Sequence, residues 1–411
     1  MKGYKPTSLI HLVNKETLKA QHERQKISKA SGVDRITKKQ YEEHLEENLD
    51  KLVERMKKFS YKPLPVRRTY IPKLNGKLRP LGIPAYEDKL VQGVMADILN
   101  EIYECKFLDC SYGFRPNRGC HQAIREINQK IMINKVNYIL DADIKGFFDN
   151  VDHEWLMKFL ANDVGDKKLL RYIKRFLIGG YMEEGKLYTT DKGTPQGGLI
   201  SPILANVYLH YVLDRWIYEI VKPKLKGEIY LVRYADDFIL MFQYEEEAKK
   251  VYEALRKRLE KYGLELEVNK TRIIPFGRNK GTKETFNFLG FMHYNGVTRT
   301  GKYTVGHKMD KKKKKAKCQS ITKWMKERRI YKFKDTIKLL NMKLIGIYVY
   351  YGINGMYQEL CKVYYHALYA LRSMVLRRSQ RNISRKVFES ILERIPIAKP
   401  KIYKNIWGWN Y

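Results

Sequence analysis

Ile229-Tyr230-Leu231-Val232-Arg233-Tyr234-Ala235-Asp236-Asp237-Phe238-Ile239-Leu240-Met241-Phe242 places two adjacent carboxylates between two apolar runs. The β-branched and aromatic residues on either side predict a strand, a tight turn and a second strand over Ile229 to Gln243. Withdrawing even one unpaired charge from water costs several kcal/mol, so carboxylates at the tip of such an apolar hairpin call for a compensating cation. Magnesium suits the position, because it takes oxygen ligands and keeps part of its water shell. Taken alone, the pair reads equally well as a solvated Asp-Asp turn.

A second acidic group lies upstream. In Ile139-Leu140-Asp141-Ala142-Asp143-Ile144 the two-residue period of a strand puts Asp141 and Asp143 on the face opposite Leu140, Ala142 and Ile144. Tyr138 to Ile144 is expected as a strand, Leu199 to Val221 as a helix, and Glu245 to Tyr262 as a helix ended by Gly263. Leu264 to Val268 is expected to begin another strand. With the hairpin between the helices, the order β-α-β-β-α-β is a split βαβ unit, with Asn150 to Gly198 inserted as two further helices. In that topology the first strand neighbours the hairpin, so Asp143 would meet Asp236 and Asp237. Three converging carboxylates suit two metal ions about 3.5 to 4 Å apart, which stabilise the attacking and leaving oxygens of an in-line displacement at phosphorus.

Tyr234-Ala235-Asp236-Asp237 resembles the tyrosine-x-aspartate-aspartate signature of reverse transcriptases, and Asp143-Ile144-Lys145-Gly146-Phe147-Phe148-Asp149 resembles their first catalytic motif. Further blocks follow in the family's order: Ile71-Pro72-Lys73 to Arg79-Pro80-Leu81-Gly82-Ile83-Pro84, Ser111 to Pro116, Gly193-Thr194-Pro195-Gln196-Gly197-Gly198, Asn269-Lys270-Thr271 and Phe288-Leu289-Gly290-Phe291. The set is similar to the reverse transcriptases, or maturases, encoded by bacterial group II introns. That resemblance implies an α+β right-hand polymerase with a ferredoxin-like palm. Residues 1–300 would form fingers and palm, with an N-terminal extension over 1–60 and a palm core at about 136–150 and 199–300. Residues 301–411 would form a helical thumb, the maturase X domain. It implies Asp143, Asp236 and Asp237 as catalytic residues, with the Ile144 backbone completing a site for two Mg2+ ions, which Mn2+ could replace. Phe148 would be the steric gate against a 2′-hydroxyl.

Local chemistry agrees with several of these roles. Lys73 and Arg79 flank a turn at Asn75-Gly76, setting two cations on one hairpin, suited to an incoming triphosphate or else merely exposed to water. Gly197 and Gly198 allow close backbone approach before a helix start, leaving Gln196 against nucleotide or template, with a plain turn as the rival. Phe148 competes with a core role, which Phe147 fills more naturally. Arg115 and Arg118, near Gly113, make a plausible strand contact.

The charge is lopsided. Eighty Lys and Arg stand against 45 Asp and Glu, a formal net charge of +35 in 411 residues. From Gly301 onward, 27 Lys and Arg face 6 Asp and Glu. This pattern points to a phosphate-bearing partner. Lys311, Lys312 and Lys313 open a lysine run that alone would read as a solvated face, but downstream cations alternate with Trp324, Tyr331, Tyr348, Tyr350, Tyr351, Tyr364 and Tyr365, as RNA contact favours. The five cysteines fit neither a zinc site nor a disulfide framework and are expected as buried thiols. No run is apolar enough for a membrane helix and no signal peptide is visible, so a cytoplasmic protein is expected. The resemblance implies RNA template, DNA primer, dNTPs, intron RNA and target DNA as partners of a monomer or homodimer. Paired cysteines of the zinc nuclease found in many relatives are missing, which puts target-strand cleavage in doubt. A non-catalytic RNA-binding splicing cofactor and a domesticated enzyme of phage defence stay open as alternatives.

Overall fold

The computed structural model describes residues 5–72, 76, 78–194, 197–379 and 384–406. The apolar periodicities of the first 135 residues become the helices Leu45–Lys57, Tyr86–Glu104 and Cys120–Ile133, with Leu49, Leu52 and Met56, then Leu90, Val94 and Ile98, and then Ile124, Ile127 and Ile131 turned inward. Between the first two, the Pro-punctuated segment is a hairpin of Val66–Pro72 (β1) and Leu78–Ile83 (β2), with Ile71 opposite Arg79.

Tyr138–Ala142 is β3. The insertion after it holds the two expected helices, His153–Asp163 and Lys167–Ile178. It also holds two strands that sequence reading missed, Tyr181–Glu183 (β4) and Lys186–Tyr188 (β5). Three residues are too few to show a period. These strands draw their order from pairing, since β4 runs parallel to β1 and completes a sheet ordered β2-β1-β4-β5.

Ile229–Tyr234 (β6) and Asp237–Phe242 (β7) form the predicted hairpin. The final strand of the unit differs from expectation. Leu264 to Val268 makes only an isolated bridge, Leu266 to Ile144, and the strand proper is Arg272–Pro275 (β8). A turn intervenes, with the N–H groups of Lys270 and Thr271 donating to the Glu267 carbonyl. The sheet order is β6-β7-β3-β8, so the first strand lies beside the hairpin as a split βαβ unit requires. The helix expected over Leu199 to Val221 is regular only through Ser201–Leu209. It then widens into π-helical turns at His210–Asp214 and Trp216–Val221. Thr285–Phe288 (β9), Phe291–Val297 (β10) and Tyr303–Met309 (β11) make a third, antiparallel sheet. The α+β class read from the sequence is therefore the class observed.

By backbone contacts the chain divides into two compact units. One comprises Met1–Gly119, Ala142–Leu240 and Tyr244–Ile273, and the other Cys120–Asp141, Met241–Gln243 and Ile274–Tyr411. In the second, the helices Lys311–Glu327, Phe333–Tyr351 and Tyr357–Ser379 close on Leu340, Leu344, Leu360, Val363 and Leu371. Helical spacing sorts its tyrosines. Tyr348 and Tyr351 are core, whereas Tyr350 and Tyr365 are exposed. All five cysteines are free, but only Cys110 is buried and Cys105 is exposed. Among the described residues no helix is long and apolar enough to cross a membrane.

Candidate active site

The acidic turn is held from beneath by a residue that belongs to none of the sequence motifs. Arg233, the last inward residue before the turn, is fully buried and uses all five of its N–H donors. Its Nε and Nη2 grip both Asp214 carboxylate oxygens at 2.7 and 2.6 Å, Nη1 donates to Asn206 Oδ1 and the Ala235 carbonyl at 3.0 Å each, and Nη2 also reaches Ser111 Oγ at 2.8 Å. Ala235 sits at φ +57°, a left-handed conformation unusual for a residue with a side chain. The network thus fixes the carbonyl of the one strained residue beside Asp236. Asn206 in turn donates to the Gly113 carbonyl at 2.7 Å, and a Cβ at Gly113 would lie 2.4 Å from the Ala235 nitrogen. A charged residue in an apolar strand was the available clue to Arg233, and its partners 19 to 122 residues away were not.

Asp236 is half-buried and Asp237, the first residue of β7, is exposed. Burial pushes the Asp236 carboxyl above the ordinary carboxylate range and the negative field of Asp143 adds to this, while Arg79 and Arg233 oppose it. Asp143 and Asp236, 93 positions apart in the sequence, therefore lie within electrostatic reach. Asp143 follows β3 directly, and its carbonyl accepts the Glu267 N–H at 2.8 Å. Its carboxylate is ion-paired with Lys270, and this hydrogen bond raises the lysine's pKa, with the fields of Asp143 and Asp237 acting in the same direction.

Among the described residues no three His, Cys, Asp or Glu side chains converge tightly enough to hold a metal ion. The donor set nevertheless suits a hard divalent cation. Its carboxylate oxygens are the ligands such an ion takes, and a lysine ammonium is paired with one of them at Asp143.

The remaining candidates separate. Arg79 is exposed and acts on Asp236 electrostatically. Lys73 and Gln196 lie outside the described residues. Beside Gln196, Gly197 has φ +116°, and a Cβ there would meet the Gly82 carbonyl at 2.5 Å, so only glycine fits. Phe147 is core, as expected, while Phe148 is half-buried, edge-on to Phe147 and bordering a cavity of about 170 Å³. Arg115 is buried, with its guanidinium on the Glu104 carboxylate at 2.8 and 3.0 Å and on the carbonyls of Leu108 and Ser111. It braces the Ser111 to Pro116 loop and presents no open cation. Arg118 pairs with Asp109 at 2.6 Å. Lys311, Lys312 and Lys313 are exposed on the first turn of their helix, capped by Asp310.

The sheet order, with acids at the end of β3 and in the β6–β7 turn, defines the palm of a right-hand polymerase. The chain belongs to the family described as reverse transcriptase (RNA-dependent DNA polymerase), whose match covers residues 71–293, more than half of it. Reverse transcriptases generally use divalent metal ions. The chain is 44% identical over 176 residues to the group II intron-encoded protein LtrA of Lactococcus lactis subsp. cremoris, covering 43% of this chain and 29% of LtrA. It is 32% identical over 321 residues to protein YkfC of Escherichia coli, covering 71% of this chain and 83% of YkfC. A 91 kDa protein in the cob intron of Schizosaccharomyces pombe is 38% identical over 169 residues, 41% of this chain and 21% of that protein. The chain thus spans under a third of the length of LtrA and of the cob-intron protein.

Proposed function

We propose that the chain is an RNA-directed DNA polymerase of the group II intron type that also binds intron RNA to assist splicing and mobility. The carrying observation is the sheet order β6-β7-β3-β8, which sets the end of β3, followed by Asp143, beside the hairpin whose turn bears Asp236 and Asp237. Asp143, Asp236, Asp237 and the Ile144 carbonyl would hold two Mg2+ ions. When bound, these supply Lewis-acid stabilisation of charge on the attacking and leaving oxygens. The protein's own part is positioning. Arg233 and Asp214 fix the turn so that Asp236 is presented before substrate arrives. Lys270 holds Asp143 until a stronger cation competes for it. Arg79, with Lys73, neutralises the triphosphate of the dNTP, and Gln196 lies against the nucleotide. Phe148 stands under the sugar, where a 2′-hydroxyl would clash. Lys311, Lys312 and Lys313 grip the phosphates of template and primer, and Arg118, once released from Asp109, can join them.

Asp236→Ala is expected to abolish magnesium-dependent extension of a DNA primer on an RNA template while leaving RNA affinity within a few-fold. Extension by that variant would overturn the catalytic assignment.

A further inference from the structure

The helices Lys311–Glu327 and Tyr357–Ser379 border a groove of about 330 Å³ that the polymerase chemistry does not use. This is near the lower bound, about 300 Å³, of ordinary ligand pockets. Its walls carry Lys326, Arg329 and Arg377, its floor is formed by Met325 and Met374, and Tyr369 stands at the rim. No carboxylate is among the described residues that line it. Three cations gathered without a counter-charge repel one another, so their grouping is most stable when an anion is present. The Arg329 Nε is buried and has no hydrogen-bond partner in the protein, which leaves a charged donor desolvated and unsatisfied. Tyr369 is 75% exposed, which leaves a face of its ring open to stacking.

A phosphodiester in the groove would pair with the Arg329 guanidinium in the charge-assisted geometry that such groups favour. The exposed ring and thioether floor ask for something flat and apolar next to that phosphate. We infer that this groove seats one unpaired nucleotide of a bound RNA strand, its phosphate on Arg329, Arg377 and Lys326 and its base on Tyr369. A base locked inside a duplex has no free face to offer, so the groove selects single-stranded RNA over paired RNA. The inference rests on the reading of the chain as an RNA-binding polymerase.

The test uses the full chain and a short fluorescein-labelled single-stranded oligoadenylate, with anisotropy titrations over a range of salt and thermal melts alongside. Each phosphate contact on a single strand contributes about 0.7 to the slope of log K against log salt. The double variant Arg329→Ala, Arg377→Ala should therefore bind about tenfold more weakly at low salt, with a slope shallower by about 0.7, one phosphate's share. Tyr369→Ala should lose several-fold in affinity at unchanged slope, and Tyr369→Phe should bind as the wild type does. Wild-type affinity and slope in the arginine variant, or wild-type affinity in Tyr369→Ala, would overturn the groove while leaving the polymerase reading standing. Failure of the wild-type chain to bind the oligonucleotide would overturn both.

Discussion

At Arg233 a buried charge is tolerated because every donor is spent, two of them on Asp214 and one on the carbonyl of the strained Ala235. Lysine keeps the charge but cannot reproduce the fork. Arg233→Lys should cost on the order of 1 to 3 kcal/mol of stability in denaturant titration. It should also lower kcat for primer extension by at least about tenfold with little change in KM for the nucleotide. Loss that tracks only the unfolded fraction would reduce Arg233 to a structural residue. Phe148 makes a second residue-scale case. It is half-buried where Phe147 is core, and the proposed role sets its ring under the sugar of the incoming nucleotide. Phe148→Ala should raise ribonucleotide incorporation relative to deoxynucleotide by at least about tenfold, read by primer extension with each nucleotide separately. Unchanged sugar selectivity would return Phe148 to a packing role.

Among the elements, the β10–β11 hairpin contains a cross-strand histidine pair, His293 opposite His307, with ring centroids 4.8 Å apart. His293 stacks on Phe286 at 4.5 Å, and His307 meets Asn128 at 3.1 Å. Burial lowers the His307 pKa to about 4, and burial and then the neighbouring His307 lower that of His293 as well. The unfolded chain titrates near 6.5, so between the two values it binds the extra proton that the folded chain refuses. For His307, stability is therefore full above about 6.5 and falls as pH drops toward 4, and His293 adds a fall of the same sign. For His307 alone the fall is on the order of 3 kcal/mol. Denaturant titrations across that window should show a smaller fall for His307→Gln than for the wild type, and equal falls would refute the linkage. The lysine-led helix Lys311–Glu327 shows the opposite economy. Cations on its first turn oppose the helix dipole by roughly 0.3 to 1 kcal/mol each, which an approaching phosphate would reverse.

Over the whole molecule, the net charge of +35 creates a positive field that attracts polyanions at long range. RNA affinity should fall linearly with salt on logarithmic axes, by on the order of 10³ between about 50 and 200 mM if about six phosphates are contacted. Filter binding or anisotropy would measure it, and a flat salt response would argue that the lysine excess is only a solvated surface. The same charge explains why individual cations cannot be assigned from composition. Arg115 and Lys311 look alike in the sequence. One is buried on Glu104 and the other stands in water, and which is which depends on partners that folding supplies.

Residue order alone carried the apolar periodicities, the β6–β7 hairpin with Asp236 and Asp237 at its tip, and the split βαβ order that brings β3 beside it. Each depends on near neighbours in the chain, whose spacing in space follows from the two-residue and 3.6-residue periods. Tertiary structure decided the rest. The short strand β4 exists because β1 offers it an edge, on which β5 then pairs with β4, β8 begins only after the turn at Lys270, and Lys270 and Arg233 acquire meaning from Asp143 and Asp214. These are contacts between residues far apart in the chain, and their energies come from burial and charge pairing that exist only once distant segments have met.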